Sequence, residues 1–190
     1  MAGSILNAQK PVAARNMRNQ RTRNTEFTTI FGSLQDYEKG TIEIINDDPK
    51  NYAFSNVFEV CARSTPYEKV IVGKNLSYVI EALRAEGASA WFYAPHDEFA
   101  LVMDGVVSVD LVKVEPLESI APAGTEGSVM IVGEPVGKRM GRMQLGRGHQ
   151  ALLPAGAAYR FRAMASPGVI VLQTRLGAHS VQKWSEICYT

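Results

Sequence analysis

The sequence predicts an all-β fold, a single double-sheet jelly-roll barrel with one short helix. From Gly40 onward, short alternating or continuous apolar runs are separated by Gly, Pro, Asn and Asp, which is the grammar of strands joined by turns. The stretch Trp91 to Met103 (WFYAPHDEFALVM) runs through Asp104-Gly105 into GVVSVDLVKV. Asp-Gly between two such runs is the strongest short-range hairpin signal, because both turn residues tolerate positive φ. No segment repeats another, and ten or so short strands with one helix fit a jelly roll.

Taken in order, residues 1–39 form a basic leader and arm, and residues 40–190 the barrel domain. Lys10, Arg15, Arg18, Arg21 and Arg23 all precede the first acid, Glu26. Without interleaved aromatics this reads as a solvated leader rather than a nucleic-acid arm. Phe27, Ile30, Phe31, Leu34 and Tyr37 recur at near-helical spacing and would lay one apolar stripe on the barrel or on a partner. Strands are then expected at TIEII, AFSNVFEV and EKVIVG. The one helix is expected next: Leu76, Val79, Ile80 and Leu83 fall on one helical face, Asn75 is placed to cap it, and Gly87 stands where a left-handed C-terminal residue is wanted. Pro116 to Gly127 is a loop. Further strands follow at SVMIV, RMQL, HQALL, AYRFRA and GVIVLQTRL.

Composition narrows the function classes. One domain of 190 residues buries a core without staples, and a net charge of +1 gives no global field for nucleic acid or membrane. Cys61 and Cys188 are the only cysteines, which points to a reducing compartment, and both read as packing residues. With no signal-peptide pattern and no membrane-length apolar run, a cytoplasmic protein is expected.

Two stretches carry a family resemblance. In the cupin family a first motif, G-x5-H-x-H-x3,4-E-x6-G, sends two histidines and a glutamate into a small barrel to bind metal. Anchored on Gly105, it places its glutamate on Glu98 and its histidines on Phe92 and Ala94, or on Trp91 and Tyr93 in the longer spacing. The second motif, G-x5-P-x-G-x2-H, matches Gly148, Pro154 and Gly156, with Tyr159 where the last histidine belongs. The chain resembles a cupin whose backbone punctuation survives while the usual ligands are gone, so no metal is expected here.

Strand parity says what replaces them. Phe92, Ala94 and Glu98 lie on one side and Trp91 and Tyr93 on the other, while Tyr159 and Phe161 share a side. Phe92, Tyr159 and Phe161 are thus expected to fill the lumen, and Glu98 beside them needs a donor such as the Tyr159 hydroxyl or His96. Trp91 and Tyr93 then face outward, covered by the N-terminal segment or by another protein. A carboxylate two residues away is expected to raise the proton affinity of His96. His149 and His179 read as surface or structural histidines.

The long runs YAFSNVFEV, PYEKVIVGKN, YVIEALRAEG, HDEFALVMDG and RGHQALLPAGAAYRFRA resemble the small subunit of two-subunit hydroquinone 1,2-dioxygenases, from about Gly40 to the C-terminus. The resemblance implies a metal-free cupin subunit with no catalytic residue of its own. A larger cupin partner would hold Fe(II) and open hydroquinone with O2 to 4-hydroxymuconic semialdehyde, while Trp91, Tyr93 and His96 would supply a partner interface or a wall of the substrate pocket. On the residues alone two alternatives stay open: a stand-alone metal-free cupin isomerase using His96 and Tyr159 as acid and base, and a small-molecule-binding cupin.

Overall fold

The computed structural model describes residues 45–46, 56–115 and 120–183. Within them lie one helix, α1 (Val57–Arg63), and the strands β1 (Lys69–Asn75), β2 (Tyr78–Ala85), β3 (Trp91–Tyr93), β4 (Glu98–Asp104), β5 (Val107–Val114), β6 (Val129–Ile131), β7 (Gly137–Leu145), β8 (Gln150–Leu153), β9 (Ala157–Ala163), β10 (Gly168–Arg175) and β11 (Ser180–Val181). They form a six-stranded sheet in the order β11-β1-β2-β10-β4-β8 and a five-stranded sheet in the order β6-β3-β9-β5-β7. The two inner faces share one core, in which Leu83, Val102, Val109, Phe161 and Ile170 are each no more than 1% exposed. Among the described residues no helix is long and apolar enough to cross a membrane.

The backbone punctuation read from the sequence is all in use. Gly105, Gly148 and Gly156 adopt φ of +75°, +77° and +81°, the left-handed region that glycine enters at no steric cost. At Gly105 a Cβ would also stand 2.9 Å from the Cα of Gly168. With both motifs seated on one pair of sheets, the fold is a single cupin barrel.

Three local expectations are corrected. The helix expected over Asn75 to Gly87 is strand β2, paired with β1 on one side and β10 on the other. Its lumen face is Val79, Glu81, Leu83 and Ala85, so the alternation was masked by a carboxylate in an inward position. Gly87 does take positive φ, but it follows a strand. The helix instead occupies the second half of AFSNVFEV, which was read as a strand. Asn56 caps it, its Oδ1 accepting from the backbone N–H of Phe58 at 2.9 Å and of Glu59 at 3.4 Å, and Glu59 pairs with Arg63 one turn on at 3.0 Å. Val60 and Cys61 then pack on Val70, Ala82 and Val169, on the outer face of the larger sheet, and this burial outweighs the strand preference of valine and phenylalanine.

The third correction concerns Asp104-Gly105, which does not close a hairpin. Strand β4 belongs to the larger sheet and β5 to the smaller, so the turn carries the chain across the sandwich. A tight turn reverses direction equally well whether or not the two strands go on to pair. The leader, most of TIEII and Cys188 lie outside the described residues.

Candidate functional site

Parity and pairing place the motif residues. Phe92 of β3 lies opposite Tyr159 of β9, with ring centroids 6.0 Å apart, and Tyr159 meets Phe161 edge-on at 5.4 Å. All three point into the core, with Ala94 and Glu98 buried alongside. The lumen is therefore filled by aromatics at the positions where the cupin motifs carry imidazoles.

It also holds charge that the sequence reading missed. Lys69, only 2% exposed, extends from β1 into the lumen, where its ammonium donates to the Ser128 hydroxyl and, at 3.2 Å, to the Tyr159 hydroxyl. The same Nζ stands 4.2 Å from the centroid of the Phe92 ring, close enough for a cation–π contact. Glu81 enters from β2 and accepts from the Ser180 hydroxyl at 2.5 Å, tying β11 to the barrel. Thr174 of β10 donates to Glu98 at 2.5 Å, and His96 Nε2 lies 3.1 Å behind on the same hydroxyl. The same Nε2 also accepts the backbone N–H of Arg175 at 3.4 Å. The donor expected for Glu98 was Tyr159 or His96, and the structure interposes Thr174.

Burial dominates the titration of these groups. It pushes Glu81 up to about 7, a rise that Lys69 and the Ser180 bond oppose and the Glu98 charge reinforces. Tyr159 is driven well above the usual phenol range by burial and then by Glu98. His96 is shifted down, not up: burial disfavours the imidazolium more than Glu98 favours it, which corrects the expectation drawn from sequence proximity. His179, read as a surface or structural histidine, packs its ring edge-on to Phe92 at 5.9 Å. His149 caps a turn, its Nδ1 accepting from the Gly146 N–H at 2.9 Å. The Cys61 thiol, pushed up to about 12 by burial, has no nucleophilic character.

The residues do not fit a metal. Phe92 and Ala94 have no ligand atom, Tyr159 is held in its protonated form and already accepts from Lys69, and the ammonium puts a positive charge beside them. Among the described residues no three His, Cys, Asp or Glu side chains converge on one point. Glu98 and His96 are thus a hydrogen-bonded relay to Thr174 that locks β4 to β10. Removing the imidazole with His96→Ala is expected to cost about 1 kcal/mol of stability, the value of one hydrogen bond, read as a lower midpoint in denaturant unfolding. An unchanged midpoint would mean that the imidazole contributes nothing to holding β4 on β10.

Trp91 and Tyr93 point to the other side of the smaller sheet, as parity requires, yet each is at most 5% exposed. Val114, Ala158, Ile120, Val129 and Ile131 pack around them. The Trp91 indole donates to Glu134 at 3.0 Å and lies 4.4 Å below the Arg160 guanidinium, which also binds Glu134 at 2.8 Å. Above it opens a cleft of about 240 Å³ lined by Arg139, Arg142 and Arg160 together with Asp110, which pairs with Arg142 and Arg160, and Glu134, which pairs with Arg160.

One chain of the hydroquinone 1,2-dioxygenase from Sphingomonas sp. TTNP3, in a structure with 4-hydroxybenzoate bound, is 55% identical, with a TM-score of 0.81 over 86% of this chain and 98% of that one. A chain of the hydroquinone 1,2-dioxygenase PnpCD, in complex with Cd2+ and 4-hydroxybenzonitrile, is 54% identical, with a TM-score of 0.79 over 88% of this chain and 99% of that one. A second PnpCD chain, from a complex with Fe3+, matches at 10% identity and a TM-score of 0.51, over 75% of this chain but 39% of its own length, a likeness of fold alone. No family model and no curated protein sequence matches.

Proposed function

This chain belongs to the family of hydroquinone 1,2-dioxygenase subunits, and from that premise we propose that it is the small, non-metal-binding subunit of an Fe(II)-dependent enzyme that cleaves hydroquinone with O2 to 4-hydroxymuconic semialdehyde. The observation that carries the reading is the lumen: Phe92, Ala94 and Tyr159 occupy the histidine positions, with Lys69 beside them, in a chain that matches a dioxygenase chain over nearly all of that chain's length. The iron belongs on a partner. PnpCD contains a chain of about this length and another more than twice as long as the part that matches, so the partner proposed here is a larger cupin chain, in the cytoplasm of a cell degrading aromatic compounds.

Iron on that partner would bind the substrate and activate oxygen. The share of this chain is assembly and exclusion of water. Trp91, with Tyr93 packed beneath the same face, would form the floor of the interface, and the mixed-charge cleft above would face the partner. His96 sits in the bend between β3 and β4, beside Thr174, and would contribute to a pocket wall only through β4.

Expressed alone, the chain is expected to carry far less than one iron per molecule and to show no ring cleavage; co-expressed with a larger cupin subunit encoded nearby, the pair should cleave hydroquinone. Metal analysis and oxygen uptake on the two preparations test this. Stoichiometric iron in the isolated chain would overturn the metal-free assignment, and ring cleavage by the isolated chain would overturn the accessory role.

A further inference from the structure

The outer face of the larger sheet is only partly covered. Helix α1 lies over Val70, Ala82 and Val169. Farther along the same strands, Ile80, Gln173, Phe99 and Leu152 stand directly opposite one another, one from each of β2, β10, β4 and β8. Ile80 and Gln173 share parity with Ala82 and Val169, so this row points away from the lumen. Its three apolar members are 43%, 40% and 47% exposed, which leaves an open apolar strip about 14 Å wide at the usual strand spacing. At the β2 end of the row a hollow of about 460 Å³ is lined by Lys74, Tyr78, Ile80 and Gln173. The Arg175 guanidinium lies 5.7 Å from the Tyr78 ring beside it. Among the described residues neither Lys74 nor Arg175 has a carboxylate partner.

We propose that the chain covers this row itself, with residues 31–37, which lie outside the described residues. Two features of that segment match two features of the face. Phe31, Leu34 and Tyr37 recur every third residue, a spacing that on a helix gathers them on one side over about 9 Å, within the width of the row. Tyr37 stands between Asp36 and Glu38, which supply the negative charge that Lys74 and Arg175 lack. The segment also starts from the right face, because α1, capped by Asn56, lies on it. The stretch from Tyr37 to Asn56 reaches about 60 Å when extended, so the connection does not restrict docking. The TTNP3 chain matches 86% of this one, a share that residues 45–190 alone cannot supply, so part of residues 1–44 has a counterpart in a solved relative.

The contact is internal to this chain and does not depend on its role beside a partner subunit. A photo-crosslinking residue, p-benzoylphenylalanine, in place of Phe99 in the full-length chain purified alone tests it, with adducts mapped by tryptic digestion and mass spectrometry. Irradiation is expected to join position 99 to the peptide of residues 24–39 in a product of monomer mass. Phe31→Asp together with Leu34→Asp is expected to lower that yield about tenfold, since neither aspartate can be buried on the row. Adducts between copies, adducts to any other segment, no adduct, or a yield unchanged by the two aspartates would each overturn the proposal. Transfer of the adduct to the larger subunit when that chain is added would overturn it as well. Should the Phe99 variant fail to fold, the same probe at Leu152 reads the same row.

Discussion

Trp91→Ala is expected to reduce the stability of the chain by about 3 kcal/mol and, at a temperature where the variant is folded, to weaken its complex with the larger subunit by about 2 kcal/mol, roughly 30-fold in Kd. The first effect follows from burial. Trp91 is only 5% exposed, packs in an apolar cluster with Tyr93, Val114 and Ala158, and gives its indole proton to Glu134. The second follows from what rests on the ring. The Arg160 guanidinium lies on its face and bridges Glu134 and Asp110, at 2.8 Å and 3.5 Å, so removing the indole releases the charges that shape the cleft. Melting temperature and titration of the purified partner separate the two. If the variant loses stability but binds the partner as the parent does, Trp91 is a packing residue and the interface lies elsewhere.

Trp91 marks how far the sequence could be read. Gly105, Gly148, Pro154 and Gly156 were legible because each fixes a backbone conformation that few other residues adopt, and the spacing between them survives loss of the chemistry. Inward Phe92, Tyr159 and Phe161 followed from strand parity once that frame was set. What parity could not show was whether the residues facing away from the lumen were covered, and the chain itself packs around Trp91 and Tyr93.

The lumen charges were missed for a different reason. Lys69 stands at the start of a run, KVIVG, whose apolar residues suggest a strand, and a terminal lysine in such a run is normally solvated. Glu81 broke the alternation of β2 and shifted the reading to a helix. Each looked like a surface residue because burying it makes sense only in the presence of the other. The pairing that brings β1 beside β2 is long-range information no local window contains. The helix at Asn56 was, by contrast, available: a capping asparagine three residues before Glu59 is a local signal, overruled here by the strand-like composition of Val57 and Phe58.

Glu81→Gln should convert this hidden charge into a measurable pH dependence. In the folded chain Glu81 is pushed up to about 7, against 4.5 for the unconstrained group, by burial first and the Glu98 charge in addition. Between those values the unfolded chain has released the proton while the folded chain retains it, so the unfolded state binds fewer protons and stability falls as pH rises. The contribution is fully present below pH 4.5, declines through the window and is gone above about pH 7. A shift of this size corresponds to about 3 kcal/mol. Glutamine keeps an acceptor for the Ser180 hydroxyl and repeats the neutral form of the acid, so the variant has no such slope. His96 and His179, both shifted down chiefly by burial, act in the opposite sense, but they are present in both proteins and largely cancel in the difference. Denaturant unfolding of parent and variant from pH 4.5 to 8 should show the variant gaining on the parent by about 3 kcal/mol over that range. Parallel curves would mean that Glu81 is ionised throughout this range.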